Sequence, residues 1–268
     1  MTPEEIIGSR LSGLRSSRPM VHHITNNVVT NFTANVTLCL GASPVMAPCI
    51  EESPEMVRFA GALLLNIGTP YPTQVESMLA AGRAANEAGI PIVLDPVGAG
   101  ATAFRNETAA RLVEELDVAV IRGNAGEILS LAGIGGKTRG VDSMESSGDK
   151  AELFASIAGE RKWTVAVTGA VDVVTDGKRT AVIGNGHPLM SMVTGTGCAA
   201  TTAVACFAAA CDDPFEAALS GISVTGLAGE RAARLAGGPG TFVPYFLDAL
   251  AAMNQDSLPG ELKVSVNA

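Results

Sequence analysis

The sequence predicts an α/β fold: a mainly parallel central sheet with helices on both faces. Three observations carry this. Short, nearly continuous apolar runs rich in β-branched residues recur along the chain, as strands covered on both faces require. Helical patterns separate these runs, so the connections are right-handed crossovers between parallel strands. Hydrophobic residues make up 47% of the 268 residues and charged residues 17%, the balance of a well-buried globular protein.

Taken in order, the N-terminal segment Val21–Asn35 is rich in side-chain donors and acceptors. Asn27, Asn31 and Asn35 recur every four residues, along one helical face. They form either a polar surface stripe or the lining of a pocket for a neutral heterocycle. His22 and His23 have no metal-like partners nearby and are read as structural. Met46 stands between Pro44 and Pro48, where a thioether serves as core or as one wall of a small aromatic site. Strands are expected at 63–67, 91–95, 118–122 and 164–168, with helices at 72–88, 106–116, 124–131 and 150–159. Residues 171–183 read as an antiparallel hairpin turning at Asp176-Gly177. The polar stretch from Gly135 to Gly148 reads as an exposed loop. Beyond residue 195 the chain reads as almost entirely helical, broken at Gly237–Gly240, with a loose tail from Asp256. Residues 1–268 are expected to form one domain.

In open α/β sheets, ligands bind at the carboxyl ends of parallel strands. The four expected strands end in or beside Asn66, Asp95, Arg122 and Thr168. Val193-Thr-Gly-Thr-Gly-Cys198 then feeds a run of small helix-forming residues. A glycine turn opening a helix leaves N–H groups pointing at one spot, suited to a phosphate. Cys198 falls in the first helical turn, where a thiol pKa tends to drop; the alternative is a tight helix entry with a small core cysteine. Asp95 and Glu127 together suit Mg²⁺ bound through waters, although each also fits a helix cap. Arg122 offers a guanidinium suited to phosphate.

The net charge of −9 argues against nucleic-acid or anionic-membrane partners. Five cysteines at scattered positions read as reduced thiols of a cytoplasmic protein. No signal peptide is evident at Met1-Thr-Pro-Glu-Glu-Ile6, and the longest apolar run, 203–211, is too short to span a bilayer.

A set of motifs running from about residue 20 to 235 resembles the hydroxyethylthiazole kinases of the ribokinase-like superfamily. They are Asn26-Asn-Val-Val-Thr-Asn31, Ala42-Ser-Pro-Val-Met-Ala47, Leu94-Asp-Pro-Val-Gly-Ala99, Arg122-Gly-Asn-Ala-Gly-Glu127, Ala166-Val-Thr-Gly169 and Gly195-Thr-Gly-Cys198. The resemblance implies transfer of the ATP γ-phosphoryl group to the alcohol of 5-(2-hydroxyethyl)-4-methylthiazole, in thiamine salvage, on a fold with no separate lid domain. It implies thiazole contacts at Asn26, Met46 and Gly195, and ATP-phosphate contacts at Arg122 and Thr168. It further implies Mg²⁺-linked acids at Asp95 and Glu127, an anion hole at Gly195, Thr196 and Gly197, Cys198 as the catalytic group, and a homotrimer with sites between subunits. Sugar kinases of the superfamily place Asp, serving as the base, where Cys198 stands; cysteine here matches the thiazole and pyrimidine kinases and weakens the case for a strong base. The rival readings are a hydroxymethylpyrimidine kinase, a hydro-lyase acting on hydrated NAD(P)H, which usually keeps that Asp, and a silent nucleotide-binding module.

Overall fold

The computed structural model describes residues 1–134 and 147–267. The strands are β1 (Met20–Ile24), β2 (Ser43–Met46), β3 (Ala62–Asn66), β4 (Ile92–Asp95), β5 (Val120–Asn124), β6 (Val165–Thr168), β7 (Asp172–Thr175), β8 (Thr180–Ile183) and β9 (Val264–Asn267). The helices are α1 (Pro3–Ser17), α2 (Thr30–Leu40), α3 (Ser53–Met56), α4 (Pro72–Glu87), α5 (Ala103–Glu115), α6 (Ala125–Leu131), α7 (Ser147–Arg161), α8 (Thr196–Ala208), α9 (Pro214–Leu235) and α10 (Pro239–Ala252). The expected loop around 135–148 lies outside the described residues up to 146; Ser147 and Gly148 open α7.

All nine strands form one sheet in the order β2-β1-β3-β4-β5-β6-β7-β8-β9. Pairing is parallel from β2 to β6 and antiparallel from β6 to β9. Period-2 alternation divides the strand residues between the two faces. Leu64, Val93, Val120, Ala166 and Val174 pack with α1, α2, α8, α9 and α10. Leu63, Leu65, Ile92, Leu94, Ile121 and Val165 pack with the helices of the opposite face. Helix α8 is buried along almost its whole length, because its Ala and Thr residues let it lie flat on the sheet centre. A Cβ on Gly221 of α9 would sit 2.6 Å from Val204 N, so α8 and α9 cross at near-backbone contact.

Three expectations are corrected. The segment after Val21 is strand before it is helix: β1 contains both histidines, and α2 begins only at Thr30. Asn27 therefore precedes the helix, and Asn31 is exposed, receiving a hydrogen bond from Asn35. The residues from Asp256 are not a loose tail, since Val264–Asn267 pairs with β8 as the edge strand β9. Arg122 lies two residues inside its strand, because β5 continues to Asn124.

Candidate active site

The carboxyl ends of the parallel strands bring five side chains to one place. Asn26 follows β1, Asn66 closes β3, Asp95 closes β4, Arg122 projects from β5 and Thr168 closes β6. The start of α8 faces them.

Asn66 organises this centre. Its side-chain oxygen accepts from Asn26 Nδ2 at 2.8 Å and from the Gly68 N–H at 2.9 Å. Its Nδ2 donates to Asp95 Oδ2 at 2.9 Å and to Cys198 Sγ at 3.3 Å. Asn26 Nδ2 also lies 3.6 Å from Cys198 Sγ. Thr201, one helical turn beyond Cys198, donates to Asp95 Oδ2 at 2.7 Å. Arg122 approaches the same oxygen at 3.8 Å and is itself hydrogen bonded to the Thr168 hydroxyl. Asp95 Oδ2 is thus fully engaged, while its Oδ1 is buried without a protein partner.

These surroundings set the acid–base properties. Burial raises the Asp95 carboxyl to about 6, against the opposing pull of the Arg122 charge and the Thr201 hydroxyl. Burial first, and the Asp95 charge second, push the Cys198 thiol up to about 11. The lowering expected for a cysteine in a first helical turn is outweighed. Asp172, the first residue of β7, is also raised by burial to about 6; it accepts from the Gly169 N–H at 2.8 Å.

Helix α8 is open at its N-terminus. Gly195 is the cap, at φ +90, and no side chain caps the helix. The first helical bond is that of the Ala199 N–H to the Gly195 carbonyl, at 2.8 Å. The N–H groups of Thr196, Gly197 and Cys198 therefore have no intrahelical acceptor and present the positive end of the helix dipole. A Cβ on Gly195 would lie 2.7 Å from Val29 Cγ1, so the left-handed turn and its tight packing both require glycine here.

Two cavities meet at this helix start. The larger, about 560 Å³, is lined by Thr168, Asp172, Asn185, Thr196 and Thr225 among others. The smaller, about 390 Å³, is lined by Asn26, Val28, Asp95, Glu127, Gly195 and Cys198 among others. Arg122 and Gly197 border both. A Cβ on Gly197 would lie 2.8 Å from the Arg122 guanidinium, so a side chain at 197 would displace the cation at this junction.

The two candidate metal acids differ. Asp95 offers its free Oδ1. Glu127 is buried and already accepts from the Gly98 N–H and the Asn124 N–H, both at 2.8 Å, the second as part of a helix capping box. Among the described residues no group of three or more His, Cys, Asp and Glu side chains is arranged to hold a metal. A hydrated Mg²⁺ shared with substrate phosphates fits this donor set, since such an ion needs only one or two carboxylates.

Met46 is not brought to either cavity; it ends edge strand β2, opposite His23. His22 and His23 are buried in β1, with hydrogen bonds to the Ala47 carbonyl and to Thr37. Sequence reasoning passed over Thr201, Asp172 and Arg105. Arg105 ties the loops after β3 and β4 together through the carbonyls of Ile67, Val97 and Gly68 at 2.6–2.8 Å. Only Thr201 carried a signal, its spacing of one turn from Cys198.

The fold has counterparts among solved kinases. A Staphylococcus aureus pyridoxal kinase, solved with AMP-PCP and pyridoxal, is 15% identical, with a TM-score of 0.59 over 80% of this chain and 88% of its own. That likeness concerns the fold alone. The sequence model of the hydroxyethylthiazole kinase family matches residues 11–256. The hydroxyethylthiazole kinase of Rubrobacter xylanophilus is 55% identical, covering 96% of this chain and 97% of the relative. That of Methanoculleus marisnigri is 52% identical, covering 95% and 91%. The solved hydroxyethylthiazole kinase of Pyrococcus horikoshii OT3 superposes with a TM-score of 0.90 at 43% identity, over 98% of this chain and 99% of that one. The chain belongs to the hydroxyethylthiazole kinase family and is a kinase.

Proposed function

We propose that the protein transfers the γ-phosphoryl group of ATP to the primary alcohol of 5-(2-hydroxyethyl)-4-methylthiazole, giving the thiazole phosphate used to make thiamine phosphate. The observation that carries this reading is the meeting of two cavities at Arg122 and Gly197, beside an uncapped helix start. ATP occupies the larger cavity, with its phosphates toward Arg122, Thr168 and the α8 N–H groups. The alcohol enters the smaller one, beside Asn26, Gly195 and Cys198.

Phosphoryl transfer passes through a loose transition state, so positioning and charge stabilisation supply most of the rate. Here Arg122 and the N–H groups of Thr196, Gly197 and Cys198 meet the charge that develops on the transferring group. Asp95 and Glu127 would hold Mg²⁺, which would supply further neutralisation of phosphate charge. Cys198 stays protonated at neutral pH and chiefly orients the alcohol, with Asn26 and Asn66 fixing the sulfur. The alcohol proton leaves late in such a reaction, which relaxes the need for a strong base.

One ribokinase-like domain without a separate lid, completed by neighbouring subunits in a homotrimer, fits the surface. Val28 lines the smaller cavity and is 63% exposed, and Leu38 and Phe59 are 57% and 70% exposed. Met46, on the open sheet edge, is proposed to reach the thiazole in the assembled protein. The five cysteines are free thiols, which suits a cytoplasmic enzyme. Among the described residues no helix is long and apolar enough to cross a membrane.

The test is ATP turnover with Mg²⁺, comparing hydroxyethylthiazole with hydroxymethylpyrimidine and identifying the product by mass. Thiazole phosphate supports the reading. Pyrimidine phosphate alone, or no product, refutes it.

A further inference from the structure

Residues 185–187 link β8 to a 3₁₀ turn (Pro188–Met192) and form one wall of the larger cavity, with Ile222, Thr225 and Gly226 of α9 beside them. The wall lies flush on α9 because two glycines allow it. A Cβ on Gly226 would sit 2.7 Å from the Asn185 carbonyl oxygen, and one on Gly229 would run into Met190 Sδ. The next residue, Glu230, is a buried carboxylate whose Oε1 gathers three donors: the Gly186 N–H at 3.0 Å, Asn185 Nδ2 at 3.3 Å and Lys263 Nζ at 2.8 Å. Asn185 in turn accepts from the Lys263 N–H at 2.7 Å and donates to the Glu261 carbonyl at 2.9 Å. Cavity wall, helix and the entry to β9 are therefore one hydrogen-bonded unit, centred on a carboxylate that touches no reacting group.

We propose that Glu230 is a positioning residue for the nucleotide, holding the 185–187 wall against α9 and fastening it to the C-terminal segment 261–267. The proposal rests on the assignment of the larger cavity to ATP. Removing the carboxylate strips the Gly186 N–H and the Asn185 amide of their shared acceptor and releases Lys263. The wall then keeps only van der Waals contact with α9 and drifts from the shape that receives the nucleotide. The smaller cavity includes none of residues 185–187, so the alcohol is insulated from the change.

Steady-state kinetics with both substrates, together with calorimetric ADP binding, test this on the full-length chain. Glu230→Ala is expected to raise the KM for ATP and the Kd for ADP about tenfold, with kcat and the KM for the thiazole alcohol changed less than about twofold. Glu230→Gln, which keeps one acceptor oxygen for Gly186, recovers most of the affinity. A Glu230→Ala protein with lowered Tm but unchanged ADP affinity overturns the proposal. Should Glu230→Ala fail to fold, Glu230→Asp decides: its shorter reach weakens ADP binding about threefold if the proposal holds, and unchanged binding overturns it. Ala170→Trp, at the exposed mouth of the same cavity and away from the wall, tests the underlying assignment. Unchanged ADP affinity there refutes the assignment of the cavity itself, and the proposal with it.

Discussion

Asn66 and Asp95 are register partners on adjacent parallel strands, and the amide of the first donates to the carboxylate of the second across 2.9 Å. The bond fixes the buried carboxylate so that one oxygen is saturated and the other is free. Because the same amide nitrogen reaches Cys198, the strand end couples the acid to the thiol.

Asn66→Ala removes donors to both groups and the acceptor of Asn26 and Gly68. Leaving buried polar groups without partners is expected to destabilise the fold by about 1–3 kcal/mol. Loss of orientation at the alcohol site is expected to lower kcat roughly 100-fold. Urea unfolding and single-turnover kinetics measure the two effects separately.

Asp95 links stability to pH. Its carboxyl is raised from 3.8 to about 6, so between pH 4 and 6 the folded chain keeps a proton that the unfolded chain has released. This group's contribution is therefore most favourable below pH 4 and is lost as pH rises toward 6. Asp95→Asn, which has no charge to bury, is expected to be more stable than the parent above pH 6 by on the order of 2 kcal/mol. The gain should vanish near pH 4 in urea unfolding without metal or nucleotide. Turnover of the same variant should fall at least about 100-fold.

Cys198, with its thiol near 11, is not a thiolate at neutral pH. Cys198→Ala should retain ATP binding and measurable turnover, with kcat lowered about 10- to 100-fold by lost orientation. Removing a true general base costs up to roughly 10⁴-fold, so abolished turnover with intact ATP binding would contradict a merely orienting role for Cys198.

Gly197→Ala tests the junction of the two cavities. The added methyl meets the Arg122 guanidinium and must displace it from the place where it is proposed to meet the phosphates. The expected result is a fall in kcat/KM for ATP of about 100-fold, with Tm nearly unchanged.

The centre of the fold was legible because β3, β4 and β6 are apolar up to their polar last residues and β5 is entered through the apolar run 118–121, the mark of strands covered on both faces. The edges were not. β1 contains two histidines whose burial is made tolerable by Ala47 and Thr37, partners distant in sequence. β2 and β9 are four-residue strands that depend on neighbours for their definition. Likewise the strand-end rule located Asn66, Asp95 and Thr168, because chain position alone carries them to the sheet edge. Thr201 meets Asp95 across 106 residues of sequence, and Arg105 acts through backbone carbonyls, which leave no sequence signature. The Cys198 environment turned on burial, which outweighed the helix-start effect that the glycine motif suggests.

The most direct test is a crystal structure with a non-hydrolysable ATP analogue, Mg²⁺ and hydroxyethylthiazole. The expected structure has the triphosphate at Arg122 and the α8 N–H groups, with the alcohol oxygen beside Cys198 in the smaller cavity. An alcohol bound in the larger cavity, or phosphates remote from Arg122, would contradict it.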